Sequence, residues 1–169
     1  MLSILEKYPL LTSRKICQLE HLKDCMENND WEYHLKKREI RYLNQEKYIK
    51  NFKESFVIPS YFGPWLSGFT EAKGCFRAKS YYICQNNDWY ILNAIKIYLN
   101  SHHKLRINKD SRIRESHSNK AIHIFVPVQY RVSMSGKPAI NNIINHFNKY
   151  PLLGEKKVNF RIWKESLKI

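Results

Sequence analysis

Glycine and proline are scarce in this 169-residue chain, 5 and 6 residues respectively, while 43% of it is hydrophobic and 14% aromatic. That balance excludes a disordered basic tail, because the chain can bury enough apolar surface to offset its ordering entropy. Long apolar runs are missing too. None approaches the roughly 18 residues of a spanning helix, mean hydropathy is −0.56, and the start Met1-Leu2-Ser3-Ile4-Leu5-Glu6 lacks the basic and apolar stretches of a secretory leader. Neither a membrane partner nor a leader is expected. Cysteines number four, Cys17, Cys25, Cys75 and Cys84, with no C-x-x-C pair and no histidine at zinc-finger spacing. A reducing compartment, no structural metal and no other cofactor are expected. The seven histidines, His102-His103 among them, have no carboxylate, serine or cysteine partner at recognisable catalytic spacing, so none is assigned a catalytic role.

Acidic residues are short above all: 15 Asp+Glu face 29 Lys+Arg, a formal net charge of +14. Such a surplus on a folded domain favours a polyanionic partner, since each phosphate neutralised releases counterions. Nucleic acid is favoured over membrane.

What the chain does have is a repeat. Lys7-Tyr8-Pro9-Leu10-Leu11 recurs letter for letter as Lys149-Tyr150-Pro151-Leu152-Leu153, and each copy precedes a basic amphipathic stretch. After the first come Ile16, Leu19, Leu22 and Met26 at helical spacing; after the second, Val158, Phe160, Ile162, Trp163 and Leu167. An internal duplication accounts for both. Residues 1–27 are then the terminal helix of a first repeat whose body is lost. Residues 28–63 form a charged helical connector, with Asn28-Asn29-Asp30 breaking the first helix and Pro59, Gly63 and Pro64 closing the stretch. Residues 64–169 form an α+β domain.

Within that domain the patterning predicts a helix over 64–72 closed by Gly74, an extended segment over 75–85, and a helix from Asn87 or Asp88 to Asn100. A strand over 103–109 and a polar, basic loop over 110–120 follow. From Ile122 the even positions Ile124, Val126, Val128, Tyr130, Val132 and Met134 alternate with mostly polar odd ones, a half-buried strand that Pro127 divides or places at an edge. Gly136-Lys137-Pro138 then opens a helix bearing Ile140, Ile143, Ile144 and Phe147. Helices on one sheet face follow.

The segment Leu66-Ser67-Gly68-Phe69-Thr70-Glu71-Ala72-Lys73-Gly74, followed by Cys75-Phe76, resembles the signature helix of LAGLIDADG homing endonucleases and intron maturases over all nine positions. The Gln-Asn-Asn-Asp helix start and both Lys-Tyr-Pro-Leu-Leu segments also resemble double-motif members. The resemblance implies an αββαββα unit with an N-terminal helical extension. It also implies two signature helices packed about a pseudo-two-fold axis, metal-binding acids at their C-terminal ends, and sheets that form a saddle on the DNA groove. Without the resemblance, Gly68 still permits close approach of a second helix, and Leu66, Phe69 and Ala72 are placed for packing.

The departure lies at the eighth motif position, where the family's metal-binding acid is replaced by Lys73. An ammonium donates and cannot ligate Mg²⁺. Glu71 is no substitute, because two residues along a helix turn the side chain by about 200°. A lysine at a helix C-terminus suits the macrodipole and attracts phosphate. The first repeat's signature helix is missing as well, so another copy, a separate half or a different macromolecule is expected to cover the face around Gly68.

Candidate nucleic-acid contacts are Lys73, Arg77, Lys79, Tyr81, Arg106, Arg112, Arg114, Lys120 and Arg131, with Gln85 either near the cleft or in a turn. The terminal helix and the connector add further cations. Lys73, the lost half and the scattered basic residues together lead to a specific expectation: a protein that no longer cuts, an RNA-binding component of an organellar ribonucleoprotein such as the mitochondrial ribosome, with RNA preferred over DNA. The alternatives are an intron-encoded homing endonuclease needing Mg²⁺ and a partner half, and a group I intron maturase. Mitochondrial placement follows from the resemblance and a Lys-, Asn-, Ile- and Tyr-rich composition.

Overall fold

Hydrophobic spacing, a few polar anchors and one hairpin build the computed structural model, which describes residues 2–28, 31–108 and 127–167. The chain divides into two units, 1–57 and 58–169.

The first unit is helical: α1 (Leu2–Lys7), α2 (Ser13–Asn28), α3 (Trp31–Lys37) and α4 (Gln45–Ser55). Its centre is Leu11 and Cys17, with polar anchors between helices: Gln45 donates to Ser13 Oγ at 3.0 Å, Gln18 to the Tyr42 hydroxyl at 2.8 Å, and Tyr48 to Glu20. The stretch expected as a connector is thus not separate from the preceding helix, since α3 and α4 both pack on α2. Leu22 and Met26, expected on the apolar face of α2, are 47% and 60% exposed. The helix instead turns Ser13, Cys17, Glu20, His21 and Asp24 towards its neighbours.

The second unit runs α5 (Phe62–Lys73), β1 (Gly74–Arg77), β2 (Ser80–Asn86), α6 (Trp89–Tyr98), β3 (Arg106–Ile107), β4 (Gln129–Ser135), α7 (Lys137–Lys149) and α8 (Glu155–Ser166). This is the expected α+β order. The sheet is antiparallel with strand order β1-β2-β4-β3. Tyr81, Ile83, Val132 and Met134 lie on its inner face, fully buried under Leu66, Ile91, Ile95, Ile143 and Phe147 from the helices. Phe76 joins them through rings of Tyr81, Phe147, Phe160 and Trp163. Burying about ten such side chains at roughly 1.5–3 kcal/mol each supplies the main driving force. The alternation holds over β4, with Tyr130, Val132 and Met134 facing inward, but Val128, just before the strand, is 39% exposed; Ile122, Ile124 and Val126 lie outside the described residues.

The repeated pentapeptide marks the same local structure twice. In each copy the lysine ends a helix and the tyrosine N–H bonds the carbonyl four residues back, Tyr8 to Ile4 at 2.9 Å and Tyr150 to His146 at 2.8 Å. In each, the next helix opens with the same three-residue bond, Lys15 to Thr12 and Lys157 to Gly154, both 3.0 Å. Identical letters here go with the same pattern of backbone hydrogen bonds. The copies differ in burial: Leu11 is buried and Leu153 is 90% exposed.

Candidate nucleic-acid interface

All four helices of the second unit lie against the Phe76–Tyr81–Val132 side of the sheet, so that among the described residues of this unit the other side is open. Strand alternation puts Cys75 and Arg77 of β1, Ser80, Tyr82, Cys84 and Asn86 of β2, Gln129, Arg131, Ser133 and Ser135 of β4, and Arg106 of β3 on that open side. No strand of this sheet contains an aspartate or glutamate. Arg106 and Arg131 are direct cross-strand partners. Like charges directly opposite destabilise a sheet, and among the described residues neither guanidinium forms an ion pair with a carboxylate. Among the described residues the geometry therefore holds two cations side by side, without a carboxylate partner, on strands that carry no acid.

Arg77 and Lys79 extend that surface along its other edge, Arg77 at the end of β1 and Lys79 in the two-residue turn to β2, both exposed. Tyr81 does not. It is fully buried, and its hydroxyl shares a 2.8 Å hydrogen bond with Thr70 Oγ1. Burial raises its pKa despite that bond. The physical reason is the tight turn at Ala78-Lys79, with Ala78 at φ 49°, which restarts the alternation so that Tyr82 takes the open side. Neither residue is a glycine or asparagine, so the usual turn signal was missing. Tyr82 and Asn86 are polar face residues that sequence reasoning missed for the same reason, while Gln129 and Ser133 lie on the polar side expected for β4 but were not singled out. Arg112, Arg114 and Lys120 lie outside the described residues.

Lys73 is exposed at the last turn of α5, directly before β1. Its charge reaches the open face: burial pushes the Cys84 thiol up, while Arg131 and Lys73 pull against it. Glu71 points elsewhere and is committed. Its Oε1 accepts the backbone N–H groups of Leu153 at 2.8 Å and Gly154 at 2.9 Å, placing a carboxylate at the N-terminus of α8. Ser67, one turn earlier, donates to the Tyr150 carbonyl at 2.7 Å. The helix end thus offers an ammonium and a carboxylate already bound elsewhere. That donor set does not fit a divalent cation, which needs free oxygen ligands, and no hydrolytic step is derived through one. Gln85 donates to Asp88 Oδ2 at 3.0 Å and belongs to the turn before α6.

The remaining face of α5 is uncovered within its unit. Gly68 has nothing within 4 Å of where a Cβ would stand, Pro64 and Ala72 are exposed, and Trp65 stacks on Phe69 at 4.7 Å. Ala72 therefore does not pack within its own unit, in contrast to Leu66, which is fully buried. Gly74 closes the helix through space, not through a left-handed conformation: its φ is −80°, and a Cβ would stand 2.5 Å from the Thr70 methyl.

The LAGLIDADG endonuclease family matches residues 66–167, more than half of the chain. Among curated proteins, a probable intron-encoded endonuclease aI3 of Debaryomyces hansenii is 33% identical over 93% of this chain and 26% of its own length. Proteins of the same name from Dictyostelium citrinum and Dictyostelium discoideum are 33% identical over 97% of this chain and 61% and 63% of theirs. The chain thus spans less than two thirds of these relatives. Among solved structures, the meganuclease I-SmaMI, bound to uncleaveable DNA, matches with a TM-score of 0.63 at 20% identity, over 97% of this chain and 60% of that one. I-AabMI, bound to uncleaved DNA, gives 0.58 at 20%, over 95% and 61%.

These findings correct the expectation of a protein that no longer cuts. The relatives carry the names of endonucleases, which points to an enzyme, and one motif position in one half does not decide the activity of proteins that are longer than this chain. The relatives named above lend no support to the ribosomal, RNA-binding expectation either. Signature helix, sheet and relatives agree: the chain belongs to the LAGLIDADG endonuclease family.

Proposed function

We propose that this chain acts as an intron-encoded homing endonuclease on duplex DNA, gripping it with the open side of the sheet. The observation that carries the reading is a set of strands without an acid on which Arg106 and Arg131 are held opposite each other. Paired guanidiniums at strand spacing suit phosphate or guanine, which accept two parallel hydrogen bonds. Tyr82, Asn86, Gln129 and Ser133 add donors and acceptors between them. Lys73 contacts phosphate at the helix end, next to the same face. A second signature helix covers Gly68, and the half that brings it supplies the carboxylate that Lys73 does not. The intron-encoded relatives and the composition suit a mitochondrial genome.

The test is selection from a random duplex pool by the full chain, followed by incubation of the retained duplexes with Mg²⁺ and mapping of any new ends. Retention of particular sequences is expected from the chain alone, and a double-strand break within them once a half bearing the motif acid is added. Preference for folded RNA, or indifference to duplex sequence, would overturn the reading.

A further inference from the structure

Outside the interface, one cluster of ligating side chains stands apart. On α2, His21 and Cys25 are one turn apart, and His34 reaches them from α3. Their approach is set by the helices: Tyr33 donates to Asp24 Oδ2 at 2.7 Å, and Asn28 caps the same carboxylate at 3.2 Å, fixing α3 against the His21–Cys25 side of α2. Asp24 is thereby used up. His21 Nε2 and His34 Nδ1 are 3.1 Å apart, Cys25 Sγ is 3.6 Å from His21 Nε2, and all three ligand atoms lie within 4.8 Å of one another.

We propose that these three side chains bind one Zn²⁺, a site independent of the DNA-binding reading. On a tetrahedral zinc, with Zn–N of about 2.05 Å and Zn–S of about 2.3 Å, two imidazole nitrogens stand about 3.3 Å apart and a sulfur about 3.6 Å from each. Two of the three edges already match. The third closes by rotation of His34, whose side chain is exposed. A thiolate with two imidazoles selects zinc over the hard cations Mg²⁺ and Ca²⁺, and a fourth position is left for water. Spacing rules based on C-x-x-C pairs do not detect this arrangement, because the ligands follow an H-x₃-C turn and a histidine nine residues later. The ion would tie α3 to α2.

Titration of the full, reduced chain with Co²⁺ tests the site through its visible and thiolate charge-transfer bands. One tetrahedral Co²⁺ per chain, displaced by Zn²⁺, is expected. The charge-transfer band should vanish in Cys25→Ser and persist in Cys75→Ser. His34→Ala, at an exposed position that does not affect the core, should weaken binding by about 100-fold, since even outer-shell changes cost about 10–100-fold. A six-coordinate spectrum with no thiolate band would overturn the proposal. So would a band that survives Cys25→Ser, or unchanged affinity in His34→Ala.

Discussion

Two residues apart at the end of α5, Glu71 and Lys73 do unrelated work. Glu71 ties the α7–α8 loop by accepting two backbone N–H groups, so Glu71→Ala should lower unfolding stability by about 1–2 kcal/mol, measurable in urea melts. Lys73 has no comparable structural duty. Lys73→Ala should leave the melts unchanged, weaken duplex binding, and reduce the slope of log K against log salt by about 0.9. Lys73→Glu should weaken binding in EDTA and make it recover with Ca²⁺ or Mg²⁺. His146 is buried among the rings of Tyr98, Phe147 and Tyr150, and burial lowers its pKa to about 4 from 6.5. The unfolded chain therefore takes up a proton at higher pH than the folded one. Stability is full above pH 6.5 and falls as pH drops from 6.5 towards 4, a loss that His146→Phe should flatten in melts at pH 7.5 and 4.5.

At the scale of elements, α5 carries two different faces, and its glycines separate them. A Cβ at Gly63 would stand 2.5 Å from the Tyr150 ring and 2.8 Å from the Tyr98 hydroxyl. Gly63→Ala should then cost about 1–3 kcal/mol by overpacking. Gly68 meets open space, so Gly68→Ala should stabilise the isolated chain by roughly 0.5–1 kcal/mol. Gly68→Leu should fold normally yet fail to assemble with a second half, as sedimentation would show. Much of this was legible from sequence: the motif helix, the order of elements, the inward Val132 and Met134, and the two loops of the repeat. The placement of Tyr81 was not, because alternation carried across an unrecognised two-residue turn inverts every later side chain. The roles of Ser67 and Glu71 were hidden for another reason: their partners are backbone groups about 80 residues later, which no local pattern encodes.

For the whole molecule, net charge and sheet geometry support one account. A surplus of +14 would attract any polyanion, but a sheet with helices on one side and, among the described residues, cations without acids on the other suits the duplex grip proposed above. The relatives carry the name of intron-encoded endonucleases, the activity proposed above for this chain. The most direct measurement is the salt dependence of binding to a selected duplex, by fluorescence anisotropy, for the native chain and for Arg106→Gln/Arg131→Gln. The account predicts weaker binding by the double variant, with the slope reduced by about 1.8 for two lost phosphate contacts. If a guanidinium reads a base instead, that share of the slope remains and sequence preference relaxes. Unchanged affinity, slope and preference would contradict the central claim that the open face of the sheet grips DNA.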